Sequence, residues 1–187
     1  MSDTIKRAIV LLADGFEDVE AVTPIDYLSR AGIEVTTVSV SPNMTVTSRW
    51  GGIKMAASTK IADLKDQNWD AVIIPGGLPG APNIAASKEA NTLIKAMAAA
   101  KKLVCAICAA PLVVLNPLGL LAGKRYTCHP GLEEKSTDGI WSNERVVVDG
   151  NLITSRGAGT AGEFSIMIIE KLLDERIAKK IAEMVLL

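Results

Sequence analysis

Short apolar runs in this chain stop repeatedly at turn-forming residues and hand over to helical patterns. Ile5 to Leu12 is a continuous apolar run after Lys6-Arg7, bounded by Asp14-Gly15, and reads as a buried first strand. Ile33 to Val40 is β-branched and leads into Ser41-Pro42-Asn43. Asp70-Ala71-Val72-Ile73-Ile74 ends in Pro75-Gly76-Gly77, and Leu103 to Ile107 supplies the next strand. Helical signals lie between these runs. Glu17, Asp18 and Glu20 favour a helix N-terminus, and the pattern continues through Ile25 and Leu28 to Gly32, with Pro24 marking a kink or a restart. Ser87 reads as the N-cap of a helix reaching Ala100, and Pro111 to Leu115 opens another. Phe164, Ile168, Ile169 and Leu172 keep helical spacing, and a last short helix ends at Leu187.

Parallel neighbours in a sheet require crossovers, and crossover helices cover both faces. The fold class expected is therefore α/β: a three-layer sandwich around a mostly parallel sheet. Arg145 to Val148 and Leu152 to Ser155 flank Asp149-Gly150-Asn151, a hairpin signal and the one antiparallel feature expected. Short strands near Val46 and Ile53 form a small excursion, and Arg125-Tyr126-Thr127-Cys128 has strand character. With no repeat or linker, residues 1–187 read as a single domain. Only 4% of residues are aromatic against 49% hydrophobic, so Ile, Val, Leu and Ala must build the core.

Twenty Lys and Arg against 21 Asp and Glu leave a formal charge of −1, which excludes the basic footprint of a nucleic-acid partner. The apolar stretch Leu103 to Leu115 is broken by Pro111 and is too short to span a membrane. Met1-Ser2-Asp3-Thr4-Ile5-Lys6-Arg7 lacks the apolar run of a secretory signal, so a cytoplasmic location is expected. The 3 cysteines do not form a disulfide framework.

In open α/β sheets ligands bind beyond the carboxyl ends of the strands. The segments placed there are Asp14 to Glu20, Pro75 to Gly80, Cys108 to Pro111 and His129 to Gly131, and they carry acids, a glycine turn, a thiol and the single imidazole. Ala106-Ile107-Cys108-Ala109-Ala110 has the form small-x-nucleophile-x-small at a strand-to-helix turn, resembling a nucleophile elbow. A helix starting there favours the thiolate, so the Cys108 sulfur is expected to be anionic at neutral pH. Glu20 can reach it from the first loop, where a carboxyl beside a thiolate is pushed toward its protonated form. Gly76 and Gly77 can expose N–H groups to an oxyanion, with the N–H of Ala109 as partner. A lone His129 makes a zinc centre improbable, and neither a metal nor another cofactor is expected. Either His129 serves a Cys–His mechanism or Glu20 is the only proton carrier. Cys105 and Cys108 form a C-x-x-C, but Cys105 belongs within the strand, which ranks a dithiol below a single nucleophile. Cys128 reads as a strand residue. Trp50, Trp69 and Trp141 read as packing or subunit contacts. The glycines around Gly76 and Gly157 lack the spacing of a dinucleotide loop.

Taken together, Ala13-Asp14-Gly15-Phe16-Glu17-Asp18-Val19-Glu20, Pro75-Gly76-Gly77, Ala106-Ile107-Cys108-Ala109-Ala110-Pro111, His129-Pro130 and Thr154-Ser155-Arg156-Gly157-Ala158-Gly159-Thr160 resemble the ThiJ/PfpI superfamily, and within it the Parkinson-disease protein deglycase branch, the DJ-one family. The resemblance covers nearly the whole chain. It implies a flavodoxin-like sandwich, a homodimer and an oxidation-sensitive cysteine. Carried onto this chain, it makes Cys108 the nucleophile, Glu20 its acid partner, His129 the nearby imidazole, and Gly77 and Ala109 the oxyanion donors. Arg30 and Arg49 match the family's dimer-interface and anion-contacting arginines. The activities implied are glutathione-independent conversion of methylglyoxal to lactate, removal of early glycation adducts, peroxide sensing and chaperoning, with small 2-oxoaldehydes or glycated protein adducts as partners. Peptidase relatives share the elbow, but no acid partner for a catalytic histidine is identified here. The chain departs from the family's Arg-Gly-Pro-Gly at Ala158, carries Cys105 where many members have Ala or Gly, and has Met55 where some have a peripheral cysteine.

Overall fold

The apolar runs become the strands of one central sheet in the computed structural model, which describes residues 5–65, 68–136 and 138–187. The segment Met1-Ser2-Asp3-Thr4, on which the leader argument draws, lies outside the described residues. The first half of the chain contributes β1 (Arg7–Leu12), α1 (Asp18–Arg30), β2 (Glu34–Ser39), β3 (Thr45–Thr47), β4 (Lys54–Ala56), β5 (Thr59–Lys60) and β6 (Ala71–Ile74). There follow α2 (Gly80–Ala86), α3 (Lys88–Ala99), β7 (Leu103–Ile107), β8 (Arg125–Tyr126), β9 (Ile140–Trp141), β10 (Val146–Asp149), β11 (Leu152–Ser155), α4 (Ala161–Leu172) and α5 (Glu175–Met184).

The main sheet has 7 strands in the order β10-β11-β7-β6-β1-β2-β5. Every neighbouring pair is parallel except β10 and β11, where Val146 faces Ser155 and Asp149 faces Leu152. Side chains alternate across each strand and so divide the core. Ile9, Leu11, Val72, Ile74, Val104 and Ala106 face α2, α3 and the Leu112 to Leu121 segment. Ala8, Val10, Leu12, Ile73, Cys105 and Ile107 face Leu28 of α1, Phe164, Ile168 and Ile169 of α4, and Ile181 of α5. Each such aliphatic side chain contributes about 1.5–3 kcal/mol when fully buried. The flavodoxin-like sandwich inferred from sequence is the fold observed.

Several elements depart from the sequence reading. α1 runs through Pro24 without a restart. Pro79-Gly80-Ala81-Pro82 looks like a loop but enters α2, which ends at Ala86 just before the Ser87 cap of α3; that cap accepts the Ala90 N–H at 3.2 Å. β3 and β4 pair antiparallel outside the main sheet, so the β10–β11 hairpin is not the one antiparallel feature. The strand expected over Arg125 to Cys128 is cut to β8, which pairs with β9 rather than with the main sheet. The helix expected from Pro111 is a single π-helical turn, Pro111–Leu115, followed by turns through Asn116-Pro117 and Gly119. Trp69 packs in the core at 6% exposure, whereas Trp50 stands 73% exposed.

Candidate active site

The parallel strands β1, β6 and β7 all point their carboxyl ends to one pole, and the loops leaving them converge there. Cys108 follows β7 directly and sits at φ +64°, a left-handed conformation that L-residues other than Gly, Asn and Asp adopt rarely. Its backbone is pinned on both sides: its N–H donates to Ser155 O at 2.9 Å, and its carbonyl accepts the His129 N–H at 2.8 Å. The buried Ala109 and Ala110 allow the tight turn. The N–H groups of Ala109 and Gly77 both donate toward the Cys108 sulfur. Gly77 has φ +96°, and a Cβ there would lie 2.6 Å from Glu17 N. No larger residue fits.

Glu20 projects from the first turn of α1 and is completely buried. The Gly76 N–H donates to its Oε2 at 2.9 Å. Its Oε1 is buried with no N–H or O–H partner among the described residues, and the Cys108 thiol is the group that meets this carboxyl. Gly76 separates the two. A Cβ on it would fall 2.6 Å from Glu20 Oε2 and 2.7 Å from Cys108 Cβ. The expectation that Gly76 offers an oxyanion donor is therefore corrected, because its N–H is taken by Glu20. Gly77 and Ala109 keep theirs free for the sulfur side.

Burial is the largest influence on both ionisable groups. It pushes Glu20 up to about 7, reinforced by the charge of Glu17 and opposed by the Cys108 hydrogen bond, the Gly76 N–H and Arg49. It pushes Cys108 up to about 12, reinforced by the Glu20 charge and opposed by the Ala109 and Gly77 N–H groups. Burial and the Glu20 charge act against the anionic sulfur expected from the sequence, and the Ala109 and Gly77 N–H groups act for it. The helix expected after Cys108 is a π turn of 5 residues. Glu20 and Cys108 thus form a coupled pair, with the carboxyl placed to exchange a proton with the sulfur.

The remaining sequence candidates separate. His129 is exposed at the mouth, with Nδ1 3.0 Å from Pro130 O and its ring edge 3.9 Å from where a Cβ on Gly157 would stand. The same point on Gly157 is 4.0 Å from Cys108 Sγ and 3.8 Å from Glu20 Oε1, so Gly157 forms a wall of the site that sequence reasoning passed over. A shallow depression of about 330 Å³ opens there, lined by His129, Arg145, Arg156 and Gly157 to Thr160. A larger cavity of about 560 Å³, between α3 and the segment around Trp69, contains none of these groups. Arg49 stacks over Trp50 at 4.6 Å, and its charge is felt at Glu20. Arg30 ends α1, paired with Asp26 at 2.8 Å, and is not brought to the thiol within the chain. Cys105 is fully buried on the α1 and α4 face of β7, in register with Ile73 and Ile153. Cys128 is buried just beyond β8, its thiol 3.5 Å from His129 O. Among the described residues no group of His, Cys, Asp and Glu is arranged to hold a metal ion.

A doubly covered, mostly parallel sheet with a strained cysteine after the inner strand β7 and a buried acid beside it defines a class of α/β cysteine-elbow proteins. The chain belongs to the DJ-1/PfpI family, whose model matches residues 6–171. It is 38% identical over 181 residues to the Parkinson disease protein 7 homolog of Danio rerio, covering 94% of each chain. It is 34% identical over 170 residues to the glutathione-independent glyoxalase DJR-1.2 of Caenorhabditis elegans, covering 89% of each. The oxidised DJ-1 of Toxoplasma gondii superposes with a TM-score of 0.94 at 35% identity, over 97% of this chain and 98% of that one. The chain spans only 42% and 48% of the length of two Arabidopsis thaliana relatives, Protein DJ-1 homologs B and A.

Proposed function

We propose that this protein is a cofactor-independent glyoxalase that converts small 2-oxoaldehydes such as methylglyoxal to 2-hydroxy acids, with Cys108 as nucleophile. One observation carries the reading: a buried carboxyl held near neutrality meets a thiol flanked by the N–H groups of Gly77 and Ala109. As the sulfur attacks the aldehyde carbon, the S–C bond forms and the thiol proton passes to Glu20. The carbonyl π pair moves onto oxygen, where the two N–H groups stabilise it, and protonation gives a hemithioacetal. Glu20 then shifts a proton from the former aldehyde carbon to the neighbouring ketone carbon, leaving a thioester and a new hydroxyl. Water cleaves the thioester, releasing lactate and restoring the thiol. The net change is addition of one water, so no redox cofactor is required.

The same chemistry extends to early glycation adducts on proteins, which carry the same reactive carbons. His129 has an exposed ring and, among the described residues, no carboxylate partner, which favours Glu20 over a Cys–His mechanism. A second reading, a redox sensor or chaperone switched by oxidation of Cys108, is favoured by one fact: Cys108 is half-buried while Cys105 and Cys128 are buried. We also assign the protein to the cytoplasm, and among the described residues no helix is long and apolar enough to cross a membrane. A homodimer is supported by the apolar groups left exposed beside the site, Val19 and Val22 on α1 and Trp50 and Ile53 near β4.

The test is lactate formed from methylglyoxal without glutathione. Activity lost in Cys108→Ser and in Glu20→Gln supports the mechanism, and a wild-type rate in Cys108→Ser overturns it. Peroxide titration followed by mass spectrometry tests the second reading: no selective gain of oxygen at Cys108 removes it.

A further inference from the structure

Glu17 closes a ring of hydrogen bonds around the acid that meets the thiol, yet the mechanism above gives it no part. Its N–H donates to Gly76 O at 3.2 Å, the Gly76 N–H donates to Glu20 Oε2 at 2.9 Å, and the Glu20 N–H donates to Glu17 Oε2 at 3.0 Å. All three donors are backbone N–H groups, but only the first link ends on a backbone oxygen; the second ends on the Glu20 carboxyl itself. The third depends on the Glu17 side chain, which serves as the N-cap of α1. Caps of this kind are usually Ser, Thr, Asp or Asn. A glutamate caps the helix and also places a second carboxylate one turn from the first.

We propose that Glu17 is a positioning residue, whose cap holds Glu20 against Gly76 and Cys108 and whose charge discourages Glu20 from ionising. This rests on Glu20 being the proton carrier proposed above. The groups acting on Glu20 come from several elements, Glu17 on α1, Arg49 after β3, Gly76 after β6 and Cys108 at the elbow, while Asp18 stands two residues before it on α1 and His129 at the mouth. Of these, Arg49 and the Cys108 hydrogen bond favour the carboxylate, while burial and Glu17 oppose it. Glu17 is thus a charge that opposes Arg49 at Glu20. Without it Glu20 would spend more of its time as a carboxylate near neutrality.

The deciding experiment needs no turnover. The carboxyl carbon of Glu20 is followed by NMR in protein labelled with ¹³C-glutamate, assigned by its disappearance in Glu20→Gln, and titrated in wild type, Glu17→Gln and Glu17→Asp. The wild-type midpoint is expected at about 7. Glu17→Gln retains an oxygen acceptor but no charge and should lower the midpoint by about half a pH unit or more. Glu17→Asp retains both and should stay near wild type, which also guards against loss of folding in the Gln variant. Equal midpoints in Glu17→Gln and wild type overturn the proposal, as does an equal fall in both variants. If wild-type protein fails to turn over methylglyoxal, the proposed reaction fails, but the titration still decides the role of Glu17.

Discussion

Gly76 approaches Cys108 so closely that a Cβ on it would come within 2.7 Å of the cysteine's own Cβ. The acid and the thiol meet because nothing larger than hydrogen stands between them. Gly76→Ala must therefore push them apart or shift β6 against β7, with an overpacking cost of about 1–3 kcal/mol. Gly157→Ala makes the contrast: its backbone is extended, with φ 164°, and its new methyl would find Glu20, His129 and Cys108 at ordinary contact distances of 3.8–4.0 Å. Denaturant unfolding should place Gly157→Ala within about 0.5 kcal/mol of wild type. Turnover of methylglyoxal should vanish in Gly76→Ala, while Gly157→Ala should lose most toward 2-oxoaldehydes with bulky substituents.

Strain at Cys108 has its own signature. At φ +64° alanine keeps the strain and glycine releases it, although glycine also loosens the unfolded chain. Of two variants that both lack the thiol, Cys108→Gly should be at least as stable as Cys108→Ala, by up to about 1 kcal/mol. Thermal melting of the pair checks this. A clear advantage for alanine would mean that the elbow is unstrained.

The buried carboxyl should make stability depend on pH. Glu20 is raised from 4.5 to about 7 on folding, so the folded protein holds this proton more tightly than the unfolded chain does. Its stabilising effect is complete below about pH 4.5 and is lost as pH rises through about 7, by at most roughly 3 kcal/mol. Glu20→Gln removes that dependence. The variant should gain about 1–3 kcal/mol over wild type at pH 8 and much less at pH 4.5, measured by urea unfolding at both. Its activity should be lost at either pH.

Exposed apolar groups make the assembly testable. Val22 at 41% and Trp50 at 73% exposure are large apolar side chains that the chain by itself leaves in water. Val22→Glu and Trp50→Ser should shift sedimentation equilibrium from dimer toward monomer without unfolding the chain. Monomeric wild-type protein at micromolar concentration would remove the dimer assignment.

Much of the frame was legible in local pattern. The apolar run Leu103 to Ile107 is β7, Ser87 caps α3, and Asp149-Gly150-Asn151 turns the antiparallel hairpin. What escaped were elements whose local signals were overridden. α2 begins in a segment rich in Pro and Gly because Ala81 and Ile84 gain burial against the sheet. The segment after Pro111 carries apolar residues enough for a helix, yet Asn116-Pro117 and Gly119 stop it after one turn.

The order of the secondary elements, the residues that follow each strand and the strain-tolerant small neighbours of Cys108 were all determined by sequence alone, because side-chain periodicity and turn preference act over a few residues. Which of those loops touch was decided only by the folded sheet. Gly76 spends its N–H on Glu20, Arg30 ends far along α1, and Glu17 caps the helix that carries the acid. The protonation of the pair is of the same kind, since desolvation and Coulomb interaction depend on distances between residues far apart along the chain, such as Glu20 and Cys108.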